Sequence, residues 1–303
     1  TGQGHPESIR RHVEVTRALS TPEFSKGLWK MKPPASDDAT IRRAHKAEYV
    51  ALAERKQLAD QLSIVESHLD RTQKARQNLT IESQHQQEVI EHVESGARAV
   101  KMKVGAVSIR EDVERVKAVR EAVGPDVKVM VDANCAYRWY EAVQVAARIE
   151  EFDPFWFEEP IAADDYEGHK RIAEKTTIPI ATGENEYTRY GFRDLIATGC
   201  VPILNADAKI LGGVTEFMKV AALAQAHDLD IAPHGAQEIH IHLVSAIANG
   251  LILEFYPKRM DPMWGKVYNE TLSLNDDGTV SPPEVPGIGI EPRYETLEPF
   301  RVN

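Results

Sequence analysis

The middle of this chain repeats one phrase: a short apolar run, a polar residue closing it, then a helical stretch. Three of the closing residues are acidic, Asp132, Glu158 and Glu184, at successive intervals of 26 residues. A strand, a helix and two short loops take up a span of that order, because a crossover between parallel strands needs about a dozen residues or more. The spacing therefore predicts three carboxylates at the C-terminal ends of three consecutive parallel strands. Converging oxygen ligands of this kind suit a hard divalent cation, Mg²⁺ first.

The rhythm extends well beyond those three positions. Strands are predicted at Ala99–Val104, Val127–Val131, Phe155–Phe157, Ile178–Ala181, Pro202–Asn205, Asp230–Ala232 and Leu251–Phe255. Helices are predicted between them, over Ile109–Val123, Tyr140–Glu151, Tyr166–Lys175, Arg189–Thr198, Val214–His227 and Glu238–Asn249. Strict alternation of this kind predicts a parallel α/β architecture. A TIM-type (β/α) barrel is favoured over a doubly wound sheet, because polar residues close every strand and not one switch point alone. An eighth strand is expected near Gln77–Ile81.

Residues 1–80 read as an atypical helical region. Leu58, Leu62, Val65 and Leu69 share one helix face, which Ala44 and Ala51 extend upstream. A further helix is predicted from Gln84 to Val93, ending near Gly96. Residues 81–262 form the expected barrel. Residues 263–303 are rich in proline and glycine and read as an irregular segment with a hairpin around Asn275–Gly278.

The chain has 303 residues, a formal net charge of -11, 42% hydrophobic and 27% charged residues, which together describe a globular protein without the basic surface that nucleic acid requires. No apolar run approaches the ~20 residues of a membrane span. The chain opens at Thr1 without a signal-peptide pattern. Cys135 and Cys200 are far apart and form no CxxC pair, so a reducing, cytoplasmic compartment is expected.

Residues two apart in a strand point the same way. Lys101 and Lys103 thus share a face, with Met102 on the other. Their mutual repulsion is expected to lower the pKa of at least one, which suits a general base. Asp132 and Asn134 also share a face, where Asn134 can supply an oxygen or hold a bound water. Glu158 and Glu159 are adjacent, so only one points inward; parity pairs Trp156 with Glu158. Asp207 and His234 close neighbouring strands and form a candidate acid/base pair, the carboxylate setting the imidazole tautomer. Glu254, closing the last strand, can hydrogen-bond a substrate oxygen if protonated. His240 and His242 lack helical metal spacing and read as packing residues.

These pieces together, as "KMKVG", "VDAN", "FEEP", "TGE", "ADAKILGGVTE", "PHGAQE" and "LEF" in that order, resemble the enolase superfamily, specifically its mandelate racemase subgroup. The resemblance covers about Gly96 to Pro257 and extends to the tail Asp277–Glu291. It implies Mg²⁺ on Asp132, Glu158 and Glu184. It implies Lys103 as the base on one substrate face, with Lys101 beside it on the substrate carboxylate. Asp207 and His234 would form the dyad on the opposite face, and Glu254 would stabilise the enolate. The muconate-lactonising subgroup carries a lysine where this chain has Asp207. Residues 1–80 do not resemble the family's N-terminal capping domain.

The implied reaction is abstraction of the proton α to a carboxylate, with dehydration of an acid sugar to a 2-keto-3-deoxy acid expected first. The alternatives are racemisation or epimerisation of a 2-hydroxy acid, and a non-catalytic barrel whose N-terminal helices bind a partner. The expected partners are a small carboxylate substrate and further copies of the chain as a homo-oligomer, with no nucleic acid and no membrane.

Overall fold

The computed structural model describes residues 63, 66 and 67, 87–257, 264–268 and 272–302. The chain divides into two units, Thr1–Gln77 and Asn78–Asn303. Of the first, Ser63, Glu66 and Ser67 are helical and exposed. The predicted amphipathic face from Ala44 to Leu69 otherwise lies outside the described residues, as does the eighth strand expected near Gln77–Ile81.

The second unit carries six parallel strands, β1 (Ala99–Lys103), β2 (Lys128–Asp132), β3 (Trp156–Glu158), β4 (Ile180–Thr182), β5 (Ile203–Leu204) and β6 (Asp230–Ile231). They pair in chain order, each with the next, as the wall of a TIM-type barrel does. Between them run α1 (Ile109–Val123), α2 (Trp139–Ile149), α3 (Tyr166–Ala173), α4 (Thr188–Ala197), the short α5 (Ala208–Leu211), α6 (Val214–Gln225) and α7 (Gln237–Ala246). A helical stretch over residues 87–94 precedes β1 and stops before Gly96, whose φ of 104° an L side chain rarely adopts.

Strand parity sorts the core into two layers. Val131, Phe157 and Ile180 face outward, against Val116 of α1, Val145 and Ile149 of α2 and Ile172 of α3. Leu204 and Ile231 do the same against Phe192 of α4 and Phe217 and Val220 of α6. Met130, Trp156, Ala181, Ile203 and Ala232 form the inner layer. Both faces of these strands are buried, which explains runs of apolar residues instead of polar-apolar alternation. The ladder aligns Lys103 with Asp132, Asp132 with Glu158 and Glu158 with Ala181. The polar strand ends therefore stand side by side above the inner layer.

The helices start where the sequence places caps. Ser108 and Glu111 form a reciprocal capping box on α1, and the Asp165 side chain accepts from the Gly168 N–H at the start of α3. Across α4 and α6, Arg189 binds Glu216 through both its guanidinium and its backbone N–H.

Six of the seven expected strands form. The seventh run, Leu251–Phe255, touches the sheet through the parallel bridge Ile231–Gly250, held by Ile231 N–H to Asn249 O and Leu251 N–H to Ile231 O, both at 2.8 Å. Gly250 is required there, since a Cβ would lie 2.3 Å from the Val244 carbonyl oxygen. α7 ends at Ala246 and not at Asn249, because Ile247 is already extended (φ −109°, ψ 146°). The hairpin expected at Asn275–Gly278 is present, closed by the Leu274–Val280 bridge.

Two outcomes follow for stability. Phe192 is fully buried, and a Cβ on Gly183 would lie 3.0 Å from its ring. Phe192→Ala should cost about 3–5 kcal/mol in chemical denaturation. Glu216 is held down at about 2 by the Arg189 backbone N–H, Lys219 and the Arg189 guanidinium. A depressed carboxylate contributes stability above its ordinary value of about 4.5 and loses it as pH falls through about 2. The stability gap between wild type and Glu216→Gln should therefore shrink across that window in acid-titrated melts.

Candidate metal centre and its acid/base flanks

Asp132 is the last residue of β2, Glu158 the last of β3, and Glu184 follows β4 by two residues. All three are buried, and one carboxylate oxygen of each lies within 4.8 Å of the others. Burial without charge balance is costly for carboxylates, and each finds a different remedy. Asp132 accepts from Lys103 Nζ at 2.5 Å and from the Asn134 N–H at 2.9 Å. Glu158 accepts from Lys101 Nζ at 2.7 Å and, as parity requires, from Trp156 Nε1 at 2.8 Å. Among the described residues, Glu184 accepts a single long hydrogen bond, from Asn134 Nδ2 at 3.4 Å, on one oxygen; its other oxygen, Oε2, is buried with no hydrogen-bond partner. Burial raises the carboxyl pKa of both Glu158 and Glu184. Lys101 opposes this at Glu158, and His234 at Glu184. A buried carboxylate with an unbonded oxygen, clustered with two others, is a donor arrangement that suits a hard cation.

Lys101 and Lys103 share a face as expected, with Met102 packed outward. The lowered pKa expected from their repulsion does not occur at Lys101. Burial pulls its pKa down, but Glu158, Glu254 and Asp132 outweigh burial and hold it well above the usual lysine range. Its ammonium lies 2.6 Å from Glu254 and 3.3 Å from Asp132. Lys103 is more open, its side chain 58% exposed.

Glu254 was expected to hydrogen-bond a substrate oxygen if protonated. Burial favours the neutral acid, but Lys101 and the Gly235 N–H, at 2.7 Å, hold the carboxyl below its ordinary value. Glu254 is an ionised clamp on Lys101. Tyr256 was missed from sequence. Its hydroxyl donates to Glu254, and its position two residues on, with the same parity, is the signal that pointed to it.

On the other side, Asp207 follows β5 and His234 follows β6. His234 Nδ1 meets Asp207 Oδ2 at 3.1 Å, and His234 Nε2 lies 3.6 Å from Glu184 Oε2. Asp207 raises the His234 pKa and is itself held low by His234 and by the Lys209 N–H. The unexpected α5 begins at this carboxylate, whose Oδ1 accepts from the Lys209 N–H at 2.8 Å. His240 is a buried staple: Nδ1 donates to Gly235 O at 2.6 Å and Nε2 accepts from the Ala208 N–H at 2.9 Å. Burial keeps it neutral. His242 bonds the Ile288 carbonyl. Neither belongs to a metal cluster among the described residues. A cavity of about 520 Å³, lined by Ile178, Pro179, Cys200, Val201 and His227, opens at the opposite, N-terminal ends of β4 and β5, away from all these side chains.

A parallel (β/α) wall with three clustered carboxylates able to hold a metal ion, flanked by lysines on one side and a His–Asp pair on the other, defines a class of β/α barrel. The enolase C-terminal domain-like family matches residues 84–296, and the chain belongs to that family. It is 35% identical over 214 residues to the arabinonate dehydratase of Saccharolobus solfataricus, covering 69% of this chain and 57% of that one. Among solved structures it resembles the 3,6-anhydro-D-galactonate cycloisomerase from Zobellia galactanivorans (TM-score 0.67, 35% identity, 73% of this chain and 63% of that one). It also resembles the L-talarate dehydratase from Polaromonas sp. JS666 complexed with Mg and L-glucarate (TM-score 0.66, 33% identity, 72% and 59%). The chain spans about half the length of the curated relatives it matches. Among the described residues no helix is long and apolar enough to cross a membrane.

The orphaned Glu184 oxygen yields a direct outcome. In protein stripped of divalent ions, Glu184→Gln removes one of three crowded carboxylates and should melt no lower than wild type. The rise in melting temperature that a bound dication gives wild type should vanish in the variant.

Proposed function

We propose that this chain carries a Mg²⁺-dependent hydro-lyase site that removes the proton α to the carboxylate of an acid sugar, an aldonate or aldarate, and expels the β-hydroxyl as water. One observation carries the reading: three buried carboxylates within 4.8 Å lie between a lysine pair and a His–Asp dyad. Asp132, Glu158 and Glu184 fit Mg²⁺, as an all-oxygen set with one unsatisfied buried oxygen. When bound, the ion supplies electrostatic stabilisation of the charge that develops on the substrate carboxylate.

The remaining work falls to the chain's own groups. Lys101, fixed by Glu254 and Glu158, is a permanent cation for the same developing charge. Lys103, exposed at the mouth, takes the α-proton at Nζ. His234 faces the ligand cluster through Nε2, while Asp207 holds Nδ1 and fixes the tautomer. Protonated, His234 delivers its Nε2 proton to the departing hydroxyl, and the enol product tautomerises to a 2-keto-3-deoxy acid. Asn134, tied to both Asp132 and Glu184, borders the substrate. Relatives named as dehydratases support this outcome. Relatives named as cycloisomerases favour isomerisation of a related acid as the second reading. A reducing cytoplasmic setting, supported by two free cysteines, and assembly with further copies of the chain complete the proposal.

The test is a screen of acid sugars with Mg²⁺, reading 2-keto acid formation. Lys103→Ala and His234→Asn should each lower kcat by roughly 10²–10⁴-fold. Turnover in D₂O separates the readings: deuterium incorporation without a keto product favours isomerisation. No Mg²⁺-dependent turnover of any carboxylate removes both.

A further inference from the structure

Glu159 is fully buried beside a metal ligand, yet its side chain serves none of the roles above. It accepts four hydrogen bonds from two different strand-end loops. Oε1 accepts from Thr182 Oγ1 and from the Gly183 N–H at 3.1 Å. Oε2 accepts from Asn185 Nδ2 at 3.2 Å and from Cys135 Sγ at 3.0 Å. Its backbone continues the same web, donating to Ala181 O at 2.9 Å and accepting from the Cys135 N–H at 2.8 Å.

The donors sit in telling places. Gly183 and Asn185 bracket Glu184. Cys135 follows Asn134, whose N–H and side chain reach Asp132 and Glu184. Glu159 follows Glu158. One carboxylate thus joins the loops behind all three ligands.

The backbone at these points needs such support. Asn134 (φ 46°), Cys135 (φ 63°) and Glu159 (φ 40°) are non-glycine residues in the left-handed region. Such conformations persist only where surrounding bonds over-determine them. A fourth buried anion next to the ligand cluster is itself unfavourable. Only an acceptor on both oxygens matches four donors, which an amide cannot do.

We propose that Glu159 is a positioning residue for the metal centre: it sets the loops after β2 and β4 so that Asp132 and Glu184 meet around Glu158. This rests on the Mg²⁺ reading above. The web also explains the thiol of Cys135, which burial and the Glu159 carboxylate push up to about 12 and so keep protonated as a donor.

The experiment is Mg²⁺ titration by calorimetry on the full chain, beside ion-free melting curves. Partners that orient metal ligands typically carry ~10–100-fold in affinity, so Glu159→Gln should weaken Mg²⁺ binding by that factor while its ion-free fold is retained. Asn185→Ala, at an exposed position, should weaken it less and carries the test if Glu159→Gln does not fold. Ile149→Ala, fully buried in α2 away from these loops, serves as the control for lost stability alone. Wild-type affinity in the folded variant tested, or a loss no larger than that of Ile149→Ala at matched stability, overturns the role of Glu159 and leaves the metal site standing. A wild-type chain that takes up no Mg²⁺ overturns the metal reading itself, and this role with it.

Discussion

The crowding of buried negative charge at the mouth of the barrel governs this structure. Asp132, Glu158 and Glu184 share one small volume, with Glu254 and Glu159 close by. In a medium of low polarity such a group repels itself and loses its hydration. The fold counters this with fixed partners: Lys101 spans three carboxylates, Lys103 covers Asp132, and Glu159 is enclosed by four donors. Only Glu184 is left short by one oxygen. The remaining imbalance is what gives the cluster an appetite for a dication, and the rest of the barrel can be understood as the frame that keeps the imbalance in place.

That frame is built from strand register. The ladder sets Lys103 beside Asp132 and Asp132 beside Glu158, so the ion pairs are consequences of the hydrogen-bonded sheet before any side chain is considered. The same parity that turns these groups inward sends Met102, Val131 and Phe157 outward into the helical layer. Reactivity and packing are thereby assigned to opposite faces of the same short strands. His240 extends the principle past the strands, pinning Gly235 to Ala208 so that His234 stays on Asp207.

Much of this was legible in the chain. Regular spacing exposed the three clustered carboxylates, and two-residue parity exposed the lysine pair and the link from Trp156 to Glu158. Helix α1 matched its expected bounds because Ser108, Glu111 and Gly124 mark them chemically. The failures are equally physical. Ionisation states depend on neighbours from distant strands, so neither the elevated Lys101 nor the ionised Glu254 was visible in local sequence. The last run was read as a strand from its apolar residues, but laddering depends on a partner backbone and is met at Gly250 alone. Glu159 looked idle because a residue facing away from the ligands reveals its purpose only when loops from other strands close over it.

The ion pair between Lys101 and Glu254 joins the first described strand to the last apolar run. During synthesis, Lys101 leaves the ribosome long before its clamp has been translated. A nascent chain extending just past Glu184 already holds the three clustered carboxylates and both lysines, but has neither His234 nor Glu254, the third of the carboxylates around Lys101. The Lys101–Glu254 pair therefore closes only when the later polypeptide folds back on the first of these strands.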